Sequence, residues 1–181
     1  DPYWPVKAKY GKVKSIRRCI SCLGGCWQES LMAKKEIACS INAACGNPAY
    51  AKMKPTPRPV RVAVVGGGPA GIEAVGIATE RGHQVTLFEK HAELGGAMLY
   101  VCLVPGKEKM RWYLDWIRDQ LLDLDVEIRL NHAPTVEELR GFDVVLNATG
   151  AVSTPSQVAG DASRVVPFKE AIACQKIACE C

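Results

Sequence analysis

Several things are scarce in this sequence. Its longest uninterrupted apolar or glycine-rich run is Val62–Ile72, well short of the roughly 20 residues that span a bilayer, so no membrane segment is expected. The opening "DPYWPVKAKYGK" lacks the apolar core of a secretion signal. Acidic residues are rare at the front: residues 1–61 hold 3 Asp and Glu against 12 Lys and Arg, while residues 62–181 hold 16 against 11. No nucleic-acid-binding module accompanies that basic third, so we read its charge as facing an acidic partner or a bound anion. There are only three histidines, His83, His91 and His132, and none is placed like a metal ligand. The chain opens on Asp1 and not on methionine, which we read as a processed chain or part of a longer one.

Cysteine, by contrast, is abundant. Nine are present, at 19, 22, 26, 39, 45, 102, 174, 179 and 181. The number is odd, and no secretion signal precedes them, so metal or redox use is favoured over a disulfide framework. Cys19, Cys22 and Cys26 follow C-x2-C-x3-C, and Cys39 comes after twelve more residues. Three thiolates in tight local spacing plus one more can wrap a cubane cluster, with Gly24 and Gly25 letting the loop curl. The cytoplasmic setting we expect rests on the oxygen-sensitive chemistry of such an iron–sulfur cluster. Zinc usually takes two close pairs, and Cys39 and Cys45 are too far apart to supply the second. Zinc, disulfides and plain structural thiols remain the alternatives. Cys45 is read as a spare. The closing cysteines, ending in C-x-C, are either ordinary thiols or half of a site completed by another chain.

The chain divides at "KMKPTPRPV", where Pro55, Pro57 and Pro59 make a stiff linker. Residues 1–54 look irregular, with one helical patch near Glu29–Lys35. Residues 55–181 read as an α/β domain. "VRVAVV" is a buried parallel strand and "IEAVGIATERG" a helix stopped by Gly82; "QVTLFE" is a second strand, completing a βαβ unit. In "EKMRWYLDWIRDQLLDL", Met110, Tyr113, Leu114, Ile117, Leu121 and Leu124 recur at helical spacing. Trp112 and Trp116 read as packing residues of that helix. "DVEIRLN" and "DVVLNATG" are further strands, and "FKEAIACQK" a short helix.

Gly66, Gly68 and Gly71 form G-x-G-x-x-G between the first strand and its helix. Such glycines allow a tight turn and close backbone approach to a pyrophosphate, which then meets the helix N-terminus. Pro69 and Ala70 lie within this turn. Glu89 ends the second strand, eighteen residues past Gly71, where a carboxylate can hold two ribose hydroxyls and repel a 2′-phosphate. Dinucleotide binding is therefore the reading of this element.

The order of these features resembles the iron–sulfur flavoproteins of old yellow enzyme type, the group of 2,4-dienoyl-CoA reductase, 2-enoate reductase and trimethylamine dehydrogenase. Asp1, Pro2, Pro5 and Lys7 match its D-P-x-x-P-x-K; Gly11, Ile16, Arg17, Cys19, Ile20 and Cys22 follow in register. "CSINAACG" resembles the group's C-x-V-N-P-x-x-G, keeping Asn42 but placing Ile41 for Val and Ala43 for Pro. "LGGAM" and "NATG" resemble its two flavin-side loops, and the match runs to about Gly150.

The resemblance implies a [4Fe–4S] cluster on Cys19, Cys22, Cys26 and Cys39, with Arg17 and Arg18 as the positive charge beside it. It implies FAD lined by Gly66, Gly68, Pro69, Ala70, Gly71, Glu89, Lys90, Gly95, Gly96, Ala148, Thr149 and Gly150. It also implies partners outside this sequence: a TIM barrel with FMN and the substrate site, and an NAD(P)H-binding domain. The function implied is the electron relay of an NAD(P)H-dependent reductase of activated C=C bonds, the chain alone carrying no catalytic acid. Three alternatives stay open: a dehydrogenase-like chain holding ADP, an electron-transfer subunit like the small chain of glutamate synthase, and a zinc-stapled nucleotide scaffold.

Overall fold

A computed structural model describes residues 1, 3–51, 53–152 and 165–174. Cys179 and Cys181 lie outside them. Four parallel strands, β1 (Arg61–Val65), β2 (Gln84–Phe88), β3 (Glu127–Arg129) and β4 (Val144–Asn147), form one sheet in the order β3-β2-β1-β4. β1 lies centrally, with Val64 opposite Leu87 of β2 and Leu146 of β4. After β1 the chain moves outward to β2 and β3, then returns to place β4 on the other side. The C-terminal end of β1 is thus the point where strand order reverses, and crevices open at such points in parallel sheets.

Side chains alternate across a strand. Val62, Val64, Val85 and Leu87 share one core with Ile72, Val75 and Ala78, and with Leu114, Ile117 and Leu121. The former three belong to the helix Pro69–Glu80, the latter three to Lys109–Leu122. The helical spacing read from the sequence is therefore the buried stripe. Proline at the first position of Pro69–Glu80 suits an N-terminus, since that residue's N–H has no helical acceptor. Gly82 ends the same helix at φ +87°. On the other sheet face Phe88 is 1% exposed and meets Phe142 edge-on at 5.8 Å.

In chain order the helices are α1 (Trp4–Lys9), α2 (Pro48–Ala51), α3 (Pro69–Glu80), α4 (Met98–Val101), α5 (Lys109–Leu122), α6 (Val136–Leu139) and α7 (Phe168–Cys174). α7 is the short helix expected near the end. The cysteine-rich segment is more ordered than expected. A wide π-helix runs Gly24–Met32, starting five residues earlier than the patch expected at Glu29–Lys35. Its ring is set by Gln28 N–H donating to Leu23 O and Ala33 N–H to Gln28 O, five residues apart. Ile20 and Ile41 are buried in the same core as the sheet. The proline linker is tied down too: Thr56 N–H donates to Arg81 O at 2.8 Å, and Val60 N–H to His83 Nδ1 at 3.2 Å.

A candidate dinucleotide crevice beside a cysteine loop

Three loops that are distant in sequence meet at the end of β1. Gly66 takes φ +112°. A Cβ there would stand 2.4 Å from Ala148 O, and one on Gly71 would stand 1.8 Å from Gly66 O. Both positions demand glycine, and the loop after β4 lies directly against the first turn. The Leu94–Gly96 loop closes the third side. Gly95 N–H donates to Gly67 O at 2.7 Å, and a Cβ on Gly96 would come 3.1 Å from Gly68 Cα. The structure thus brings together Gly66, Gly68, Pro69, Ala70, Gly71, Gly95, Gly96 and Ala148. The N–H groups of Ala70 and Gly71, in the first turn of α3, have no acceptor within the helix, so they are free to meet an anion.

Glu89 sits beneath this loop, 5% exposed. Its Oε2 accepts Gly67 N–H at 2.7 Å and its Oε1 accepts His91 N–H at 2.9 Å. The carboxylate therefore braces the glycine turn directly, a role the sequence reading had not given it. Each oxygen keeps a further lone pair for a hydroxyl. Lys90 is exposed beside it. Asn147, not singled out from sequence, shapes the last loop: its Oδ1 accepts from Thr149 N–H at 3.2 Å and Thr149 Oγ at 2.8 Å. Gly150 follows at φ +78° in open space.

The cysteine loop packs on the same body. Ser21 and Leu23 both take φ +56°, turning the backbone sharply between Cys19 and Cys26. A Cβ on Gly25 would lie 2.6 Å from the Ala38 carbonyl, so this loop runs against Ala38–Cys39. The Cys19, Cys22 and Cys26 thiols are exposed and Cys39 and Cys45 half-buried. Ser21 N–H donates to Cys19 Sγ at 3.3 Å, and Cys22 Sγ shares a 3.3 Å hydrogen bond with Ser40 Oγ. That bond first, with the Gly24 amide and the Lys107 charge, holds the Cys22 thiol below its ordinary range. Among the described residues, no three His, Cys, Asp or Glu side chains are drawn together at metal-binding spacing. The adjacency of the two cysteine-bearing stretches is what the structure supplies, and exposed thiols, one of them acid-shifted, suit an iron–sulfur group chemically.

Arg17 differs from its expected role. Its guanidinium stacks 4.0 Å over Trp116 of α5 and donates to Ile41 O and Asn42 Oδ1, both at 3.0 Å. It ties the stretch leading to Cys19 to the stretch after Cys39. Arg18 lies 4.6 Å over Trp112. A cation that contacts the loop directly comes from α5, where Lys109 Nζ donates to Ser21 Oγ at 3.0 Å. The opening motif is also structural. Asp1 Oδ2 accepts Lys7 Nζ at 2.8 Å and Arg17 N–H at 3.0 Å. Lys109, Ser40 and Arg118, which contacts Leu94, carried no sequence signal, since each acts across a gap of at least 18 residues.

A cavity of about 790 Å³ lies away from the crevice and is lined by Arg61, His83, Thr86, Glu127 and Arg129 among others. Its lining carries charges of both signs, with Arg129 paired to Glu127 at 2.8 Å, whereas the crevice is where the glycine loops meet.

Comparison with known proteins follows the same lines. Residues 61–138 match the family described as FAD dependent oxidoreductase. An NADH oxidase of Thermoanaerobacter brockii is 38% identical over 163 residues, covering 88% of this chain and 25% of the relative. A cinnamate reductase of Clostridium sporogenes is 38% identical over 153 residues, covering 83% of this chain and 23% of the relative. The solved structure of a 2-naphthoyl-CoA reductase bound to 2-naphthoyl-CoA superposes with a TM-score of 0.88 at 28% identity, over 97% of this chain and 27% of that one. The chain spans about a quarter of the length of the curated relatives it matches.

Proposed function

Because this chain belongs to the FAD-dependent oxidoreductases of the 2-enoate and dienoyl reductase type, we propose that it is the electron-relay portion of such an enzyme. It holds FAD in the crevice and a [4Fe–4S] cluster on Cys19, Cys22, Cys26 and Cys39. When bound, a flavin takes up two electrons together and releases them singly, and a cluster carries one. The observation that carries the reading is the meeting of the Gly66–Gly71, Leu94–Gly96 and Asn147–Gly150 loops at the end of β1, directly above Glu89.

The residues divide the work. The amides of Ala70 and Gly71 receive the pyrophosphate. Glu89 orients the ribose through the acceptor capacity left after Gly67 and His91. Gly96 and Ala148 leave room for the nucleotide to pass between the loops. Ser21 N–H and the Cys22–Ser40 contact favour thiolates, the form that ligates iron.

The remaining parts are an FMN-bearing TIM barrel and an NAD(P)H-binding domain, on the rest of a longer polypeptide or on a partner. The substrate class is an activated C=C bond, as the names of the cinnamate and 2-naphthoyl-CoA reductases suggest. Exposed aromatic side chains in the basic first third support such a partner, with Trp4 and Trp27 57% and 51% exposed. A reducing cytoplasm suits ligating thiols. Anaerobic purification followed by iron, sulfide and nucleotide analysis tests the reading. Four irons and FAD per chain support it. ADP without flavin moves it to the amine-dehydrogenase type, and zinc or no nucleotide overturns it.

A further inference from the structure

α5 touches both candidate sites. On the cysteine side, Lys109 reaches Ser21, Trp112 carries Arg18, and Trp116 carries Arg17. Trp116 Nε1–H also donates to Ser15 O at 3.0 Å. On the crevice side, Arg118 Nε donates to Leu94 O at 3.0 Å, and its guanidinium pairs with Glu93 at 2.7 Å. One turn earlier, Leu114 lies against Gly95, so closely that a Cβ on that glycine would stand 2.8 Å from Leu114 Cδ1. Between these ends the helix is held in the core, with Tyr113, Leu114, Trp116 and Ile117 all buried. A packed core transmits displacement and does not absorb it.

We propose that α5 is a strut that couples the two sites, with Arg118 on Leu94 and Trp116 under Arg17 as its positioning pairs, so that filling the crevice orders the cysteine loop. The proposal rests on the dinucleotide reading of Gly66–Gly71. The chain of cause is short. Gly96 lies against Gly68, so a nucleotide seated on the glycine turn restricts the Leu94–Gly96 loop. Arg118 is bound to the carbonyl of that loop, and α5 cannot flex between Arg118 and Trp116. The stacked arginines then lose freedom, and with them residues 15–22 and 39–42. Coupling between binding sites is reciprocal, so a loaded cysteine loop tightens nucleotide binding by the same factor.

The test is hydrogen exchange on the 181-residue chain without metal, with and without ADP as the probe. ADP is expected to slow exchange in peptides covering 66–72 and 94–99, and also in those covering 15–24 and 38–45. Arg118→Leu is expected to keep the first protection and lose the second; Arg118→Lys, which can still donate to Leu94 O, restores part of it. Reconstituting the cysteines with iron and sulfide should tighten ADP by about fivefold or more, the low end of typical site–site coupling. Protection at 66–72 with no change at 15–24 overturns the strut and leaves the nucleotide reading standing. So does an Arg118→Leu chain that melts like the parent and keeps protection at both sites. No protection at 66–72 overturns both.

Discussion

The guanidinium of Arg17 lies 4.0 Å over the ring of Trp116, ninety-nine residues away in the chain. This stack joins the cysteine-rich segment to α5, which shares the core of the sheet. Trp116 is 8% exposed, and in such desolvated places cation–π contacts contribute most. Arg17→Met keeps the packing length but removes the stack and the bonds to Ile41 O and Asn42 Oδ1. We expect a loss of about 1–3 kcal/mol, measured by urea unfolding. Trp116→Ala removes a buried aromatic and should cost about 3–5 kcal/mol. Equal stability in Arg17→Met would show that the two parts hold together without it.

The glycine turn makes a sharper prediction. Gly71→Ala places a methyl on Gly66 O, and Gly66→Ala combines φ +112° with contact on the Ala148 carbonyl. Each substitution should cost about 1–3 kcal/mol of strain and abolish nucleotide binding by calorimetry. Gly76→Ala, in the middle of α3 with nothing near its Cβ position, should instead stabilise by about 0.5–1 kcal/mol and bind as before. Binding retained in Gly66→Ala would remove the crevice from consideration.

Glu89→Gln separates bracing from ribose recognition. One terminal atom becomes an amide NH2, which cannot accept from Gly67 or His91, so one of the two N–H groups loses its partner. The expected cost is about 1–3 kcal/mol, with weaker binding of ADP. A Gln variant of parent stability and parent affinity would mean that the carboxylate serves neither purpose.

The βαβ unit was legible because its signals are local: Gly66–Gly71 after a β-branched run, Gly82 at a helix end, one apolar stripe from Met110 to Leu124. What stayed hidden is long-range. Arg17 and Arg18 were read as charges for a cluster because they precede Cys19, yet their cationic faces rest on α5. Arg118 reaches Leu94 across 24 residues, and nothing in the spacing of two residues so far apart announces a hydrogen bond. The π-helix starts where Gly25 lies on Ala38–Cys39 and Gly24 faces Ser40, contacts made only after the loop folds back, so its start carried no local signal. Glu89 was found for its position, but the sequence could not show that its oxygens also carry the glycine turn.

Two thiols, Cys22 and Cys102, are shifted in opposite directions. Burial pushes Cys102 above its ordinary value, while the Ser40 contact holds Cys22 below it. Thiolate is the reactive form. As pH rises through the neutral range, Cys22 in the metal-free chain should therefore be alkylated before Cys102, by peptide mass spectrometry after limited iodoacetamide. Ser40→Ala removes the largest cause of the Cys22 shift, so its alkylation profile should move to higher pH and Cys102's should stay. An unmoved Cys22 profile would show that Ser40 does not tune it.

The two edges of the sheet differ, and the difference predicts behaviour in solution. β3 is three residues long and carries the Glu127–Arg129 pair, the charged, short kind of edge that resists pairing with another chain. β4 is the opposite. Val144, Val145 and Leu146 are 41%, 43% and 38% exposed. An open groove of about 440 Å³, lined by Val62, Ala74, Ile77, Val144 and Leu146 among others, runs beside it toward α3. Apolar side chains on both faces of an edge that is bare among the described residues favour addition of a further strand. The 181-residue chain should therefore self-associate as its concentration rises, and Val145→Lys should keep it monomeric at higher concentration, by sedimentation velocity. In a polypeptide long enough to cover β4, the same lysine would be buried without a partner and should destabilise the protein. A chain that stays monomeric with Val145 intact would mean that the bare edge does not drive association.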